Sequence, residues 1–179
     1  MTTFGFIGTG NMGGALARAA RKRLDGGHLL LANRTAAKAE ALAKELVCRA
    51  ADNAAVAREA DFIFLGVKPP YMADLLADIG PVLAARKDRF VLVSMAAALT
   101  IPDLRERGCG DFPVIRIMPN TPSAVGEGVV FYTCDGVTAE EESAFLDGMA
   151  GAVGCYLFFL FATLVAACRS PKKSVSLPR

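Results

Sequence analysis

The sequence predicts an α/β fold, a doubly wound and mainly parallel sheet with helices on both faces. Three observations carry this. Short apolar runs recur along the chain, among them Phe4-Gly5-Phe6-Ile7, Phe62-Ile63-Phe64-Leu65 and Phe90-Val91-Leu92-Val93. They are too short for helices and lack the alternation of a half-exposed strand, as expected of strands buried on both faces. Between them lie alanine- and leucine-rich stretches with helical periodicity. Each run is closed by Gly, Asn, Ser or Pro, residues that turn or stop a chain. Strand–helix alternation of this kind implies right-handed crossovers.

The first element is the strand 4–7, followed by Gly8-Thr9-Gly10-Asn11-Met12-Gly13 and an alanine-rich helix through residue 23. Gly8, Gly10 and Gly13 have G-x-G-x-x-G spacing. The first glycine permits a tight turn, the second lets backbone approach a pyrophosphate, and the third lets the helix pack on the sheet. A helix starting near Asn11 would aim unpaired N–H groups and a positive dipole end at that anion. This is the Rossmann-like form of the doubly wound sheet.

Leu29-Leu30-Leu31-Ala32 reads as the second strand, ending in Asn33-Arg34-Thr35. An NAD-binding domain usually has an acid at this point for the ribose hydroxyls. Polar and basic groups suit a 2′-phosphate instead, with Arg34 offering a planar fork of donors. NADP(H) is therefore the preferred cofactor and NAD(H) the alternative. Thr35 can cap a helix over 36–47, and Asp52-Asn53 a short one through Arg58. The strand 62–65 ends in Gly66-Val67-Lys68-Pro69-Pro70, placing a turn and a cation at the ligand-binding edge of the sheet. An amphipathic helix over 71–85 follows, then the strand 90–94 and the small-residue turn Met95-Ala96-Ala97-Ala98. A short helix from Ile101, opened by Thr100 and Pro102, leads to the strand 113–118 and the turn Pro119-Asn120-Thr121-Pro122. A strand over 129–132 and a helix over 138–150 close the body, and Glu140-Glu141-Glu142 reads as a favourable first helical turn. His28, the only histidine, precedes the second strand and reads as structural or exposed.

The totals restrict the function classes. A chain of 179 residues suffices for one domain with a small appendage, and 53% hydrophobic against 21% charged residues excludes a disordered chain. A net charge of +2 gives no nucleic-acid surface. Five scattered cysteines without C-x-x-C spacing indicate neither a disulfide framework nor a metal site, which fits a reducing cytoplasm. The sequence enters its first strand without an apolar signal segment, an expectation against secretion.

Taken together, Gly66-Val67-Lys68-Pro69, Ser94-Met95-Ala96-Ala97 and Arg116-Ile117-Met118-Pro119-Asn120-Thr121-Pro122 resemble the corresponding turns of the pyrroline-5-carboxylate reductases. These enzymes reduce a cyclic imine with NAD(P)H to make proline. The resemblance runs from Phe4 to about Gly154 and implies an NAD(P)-binding domain over 1–154. It implies that Ile7, Gly8, Gly10, Asn11, Met12 and Gly13 hold the pyrophosphate. Asn33, Arg34, Thr35 and Asn53 would lie along the adenosine side, and Val67, Lys68, Pro69, Ala96, Ala97 and Asn120 along the nicotinamide side. Ala98 departs from the pattern, since a glycine is usual there. If that position needs a positive φ, its methyl group costs on the order of 1 kcal/mol. Family members also continue into a helical domain that grips the substrate carboxylate and builds a homo-oligomer. That segment is not recognisable here, so no catalytic residue is assigned.

Residues 155–179 differ in composition from the body. They carry four basic residues and no acid, whereas 1–154 hold 16 basic and 18 acidic residues. From Gly148 to Cys168 no side chain is charged, and Arg169, Lys172 and Lys173 follow. The distinctively apolar part, 155–168, is 14 residues, shorter than an ordinary membrane span. Three readings stay open: a segment buried on the nucleotide domain, a membrane anchor, or a non-native end such as a disrupted reading frame. The function implied is the reductase; the alternatives are a non-catalytic NADP(H)-binding module or a membrane-tethered variant.

Overall fold

A computed structural model describes residues 2–120, 128–150 and, as backbone, 153–158. Thr121 and Pro122 of the 119–122 turn, and the tail beyond 158, lie outside the described residues. The strands are β1 (Phe4–Ile7), β2 (Leu29–Ala32), β3 (Arg49–Ala50), β4 (Phe62–Leu65), β5 (Val91–Ser94), β6 (Val114–Pro119), β7 (Gly128–Asp135) and β8 (Val153–Phe158). The helices are α1 (Asn11–Arg21), α2 (Ala36–Leu46), α3 (Asn53–Glu59), α4 (Met72–Ala85), α5 (Ile101–Leu104) and α6 (Ala139–Met149). One sheet of eight strands has the order β3-β2-β1-β4-β5-β6-β7-β8. All neighbours are parallel except β6 and β7, which pair antiparallel.

The doubly wound, mainly parallel sheet is thus present. β3 and β8 extend it beyond the strands expected. β3 is two residues on an edge, too short to leave a sequence pattern. β8 carries the sheet across position 154 and pairs with β7, with an irregularity between Gly128 and Val129.

Two apolar cores explain why the strands read as unbroken hydrophobic runs. On one face Phe4, Phe6, Phe62 and Phe64 meet α1, α2 and α6. Phe6 stacks on Phe64 with centroids 4.2 Å apart, and Phe64 lies 6.2 Å from Phe145 of α6. On the other face Ile7, Ile63 and Leu65 meet α3, α4 and α5. Ring pairs at such spacings add to the stabilisation from burial alone. The buried face of α1 is made of Gly13, Gly14, Ala15, Leu16, Ala17, Ala19 and Ala20, small enough for the helix to lie close on the sheet.

The helix ends follow local chemistry. Thr138 with Glu141, and Thr100 with Asp103, form reciprocal capping boxes that open α6 and α5. The Asp52 carboxylate accepts from the Ala55 N–H at 2.6 Å and opens α3. Thr35 occupies the N-cap of α2 as expected, yet its side chain makes no capping bond. Asn33 organises that turn instead, its Oδ1 accepting from the Thr35 N–H at 3.0 Å. Arg86 fastens the far end of α3, donating to the carbonyls of Ala57 at 2.9 Å and Ala60 at 2.7 Å. His28 is half-buried in a short turn at the amino end of β2.

Helix α2 ends on Val47 in the left-handed region, with φ 51°. A β-branched side chain is strained there, and Val47 is 76% exposed, so it contributes little burial in return. Val47→Gly should therefore stabilise the protein by about 1 kcal/mol, read as a rise of roughly 2–4 °C in Tm.

Candidate functional site

The strand order changes direction at β1. From it the chain winds outward to β2 and β3, then crosses back through α3 to β4 on β1's other side. Such a switch point leaves a crevice beyond the carboxyl ends of the two central strands, where doubly wound sheets bind ligands. The sequence-predicted site residues follow β1, β2, β3, β4, β5 and β6, all running parallel. The fold brings them to this one edge.

The floor of the crevice is backbone against backbone. Gly8 has φ 97°, and its carbonyl oxygen lies in a notch between Gly13 and Gly66. A Cβ on Gly13 would come within 2.2 Å of that oxygen, and one on Gly66 within 2.5 Å. The Gly66 N–H donates to the Ile7 carbonyl at 2.7 Å, tying the ends of β1 and β4 together. The motif spacing identifies Gly8 and Gly13. It could not identify Gly66 as their partner, because that contact crosses 53 or more positions of sequence between strands.

Gly10 is different. Its backbone is extended, with φ −73°, and a Cβ there would meet none of the described residues within 4 Å. Among the described residues, none requires a glycine at this place. Gly10 is the N-cap of α1, no side chain caps that helix, and its first turn holds no acid. Gly10 and Asn11 are exposed, and Met12 is half-buried. A helix of 11 residues thus presents its N-terminal amides and dipole beside an uncrowded glycine. This is an arrangement able to hold a phosphate-like anion.

At the end of β2, Asn33 donates from Nδ2 to the Thr9 hydroxyl at 3.0 Å, locking this turn to the glycine turn. Thr9 is buried and was not legible as a site residue from its position alone. The exposed Arg34 lies with its guanidinium carbon 5.2 Å from the centre of the Tyr71 ring. Asn53 donates to the Asp78 carboxylate at 3.2 Å, so its amide is engaged by α4.

Beyond β4, Lys68 is exposed and caps the turn Pro69–Tyr71. Beyond β5, Ala96 is buried and Ala97 exposed, and Ala98 has φ 63°. The departure at Ala98 therefore falls on a position with the positive φ that a glycine would satisfy. Arg116, 4% exposed, donates to the Leu99 carbonyl at 2.5 Å and holds this turn from below. The Asn120 Oδ1 accepts from the Val129 N–H at 3.0 Å.

Other features do not compete. A recess of about 320 Å³ lies at the opposite, amino-terminal edge of the sheet, but its Arg89 is already paired with Glu141. Among the described residues no three His, Cys, Asp or Glu side chains gather as metal ligands would. Cys48, Cys109 and Cys134 are free thiols, and burial pushes all three up, Cys109 to about 11. They stay protonated and act as packing residues. Burial, with donation to Glu142, pushes Tyr132 up to about 12 beneath α6. No helix among the described residues is long and apolar enough to cross a membrane.

Fold and site together define a Rossmann-like domain whose switch point is built around a glycine turn at a helix N-terminus. The family described as NADP oxidoreductase coenzyme F420-dependent matches residues 3–98, and the chain belongs to it. The reductase resemblance also holds over most of the chain. It is 34% identical over 131 residues to the pyrroline-5-carboxylate reductase of Corynebacterium melassecola, covering 72% of this chain and 48% of that protein. A pyrroline-5-carboxylate reductase from Coxiella burnetii superposes with a TM-score of 0.82 at 22% identity, over 92% of this chain and 61% of the other. A Plasmodium falciparum pyrroline carboxylate reductase with NADP bound superposes with a TM-score of 0.75 at 25% identity, over 89% and 58%. The chain spans about half the length of the curated relatives it matches.

Proposed function

We propose that residues 1–154 bind NADP(H) as the nucleotide domain of a pyrroline-5-carboxylate reductase, which reduces the cyclic imine 1-pyrroline-5-carboxylate to proline. The observation that carries this reading is Gly10, a glycine that no described residue crowds, standing at a helix N-terminus without a side-chain cap. The bound nicotinamide would supply the hydride, and the protein's part is to hold and orient it. Ile7, Gly8, Gly10, Asn11, Met12 and Gly13 would seat the pyrophosphate. Asn33, Arg34 and Thr35 would take the adenosine phosphate, with Asn53 nearby. Val67, Lys68, Pro69, Ala96, Ala97 and Asn120 would line the nicotinamide side. The bound NADP of the Plasmodium relative supports the same cofactor here.

The partner implied is a small cyclic imine, in the reducing cytoplasm that free thiols suit; the family's homo-oligomer is built by the helical segment that is not recognisable in this chain. A nucleic-acid or membrane partner is not part of the proposal; of the compositionally distinct residues 155–179, those in β8 extend the sheet of the nucleotide domain, and no cofactor role is proposed for the segment.

The test is a fluorescence titration of the full chain with NADPH and NADH. Arg34→Ala should weaken NADPH about ten- to a hundredfold, the loss of charge-assisted bonds to one phosphate, with little change for NADH. Equal affinities of wild type and variant for NADPH would remove Arg34 from the site. Oxidation of NADPH on adding pyrroline-5-carboxylate would show turnover; binding without oxidation would favour a non-catalytic module.

A further inference from the structure

Asn33 ties the turn after β2 to Thr9 and Thr35 through short polar contacts, and one contact at this edge is of another kind. Tyr71 is a large hydrophobic side chain left 48% exposed at the ligand edge, and its ring meets the guanidinium of Arg34 at 5.2 Å. The two residues are distant in sequence, one after β2 and the other just beyond β4. Because β1 lies between those strands, the contact joins the turns that flank β1 at its carboxyl end.

Both partners stand on fixed turns. Tyr71 closes a turn opened by Pro69 and Pro70, its N–H donates to the Lys68 carbonyl at 2.9 Å, and the next residue, Met72, is fully buried. Arg34 lies between Asn33, held by Thr9, and Thr35, held by Asn33. The backbone on either side is therefore set, while the long Arg34 side chain has many rotamers to choose among. Guanidinium donors lie in the plane of the group, so a ring against its face leaves the fork able to grip an anion.

We infer that Tyr71 is a positioning residue for NADPH selectivity, holding Arg34 across the crevice so that its guanidinium meets the 2′-phosphate. The inference rests on the cofactor reading above, and on Arg34 in particular. Nothing in the glycine motif or in the Asn33-Arg34-Thr35 turn points to an aromatic side chain 37 positions further on.

The experiment is a double-mutant cycle on the full chain, with NADPH and NADH titrated separately. Tyr71→Ala should weaken NADPH about two- to fivefold, the worth of an exposed cation–π contact, and leave NADH unchanged. Tyr71→Phe keeps the ring and should match wild type. Once Arg34→Ala is in place, removing the ring should cost nothing more. An equal loss for NADPH and NADH would overturn the inference, because the ring would then serve the shared adenine or the fold. So would full additivity of the two substitutions. Failure of the cofactor reading has a separate signature: Arg34→Ala itself then leaves the two affinities where wild type has them.

Discussion

Gly10→Asp should leave the protein folded and reduce its affinity for NADPH about a thousandfold. The two halves of that expectation come from different physics. Gly10 has an ordinary φ of −73° and open space where a Cβ would go, so any side chain can be built there without strain. Aspartate is a better N-cap than glycine, and α1 has no side-chain cap and no acid in its first turn. Stability should be unchanged or slightly higher. A carboxylate at that point would face the proposed pyrophosphate. Repulsion between two unit charges about 4 Å apart, at the effective dielectric of a protein surface, is about 4 kcal/mol, or about three decades in Kd. Gly10→Ala should fall between, filling the space without the charge. Thermal melts beside NADPH titrations separate the two effects. A Gly10→Asp protein that melts normally and binds NADPH as wild type does would remove the anion site from the glycine turn.

Much of this site was legible because its determinants are local. The spacing of Gly8, Gly10 and Gly13 within six residues already contains the turn, the approach and the packing, and the closing turns mark where each strand ends. Local capping side chains also open three of the six α-helices among the described residues, at Asp52, Thr100 and Thr138. What the chain did not show are relations between strands. Gly66 matters because β4 lies beside β1, Thr9 because Asn33 reaches it from β2, and Tyr71 because β2 and β4 flank the same strand. Each needs the sheet order, which short apolar runs do not encode. Ala98 is the intermediate case: the family pattern marked it as a glycine position, and only the backbone angle supplies the reason. β3 escaped notice for a simpler reason, since two residues on an exposed edge carry no periodicity.

Neighbouring glycines of α1 should respond to the same substitution with opposite signs. In Gly13→Ala the new methyl carbon would meet the Gly8 carbonyl oxygen at 2.2 Å and its carbon at 3.2 Å. That is backbone, with no flexible side-chain end to move aside, and it belongs to the turn that ties β1 to β4. The helix must lift off the sheet or the turn must open, at a cost of about 3 kcal/mol, near the upper end for overpacking a core. In Gly14→Ala the nearest atoms are Arg18 Nη1 at 3.4 Å, a Leu42 methyl at 3.6 Å and the Thr9 carbonyl oxygen at 3.6 Å, all ordinary contacts. There the gain in helix propensity prevails, and the protein should be stabilised by up to about 1 kcal/mol. For a chain of this size the pair of variants should melt roughly 8–16 °C apart. Gly66→Ala belongs with Gly13→Ala, because its methyl would press on the same Gly8 oxygen at 2.5 Å from the opposite side. Combining Gly13→Ala with Gly66→Ala should cost less than the sum of the two. Once the Gly8 carbonyl has been displaced by one methyl, the notch that the other would violate no longer exists. If Gly13→Ala and Gly14→Ala melt together, α1 does not rest on the β1 turn in the way the close approach at Gly8 requires.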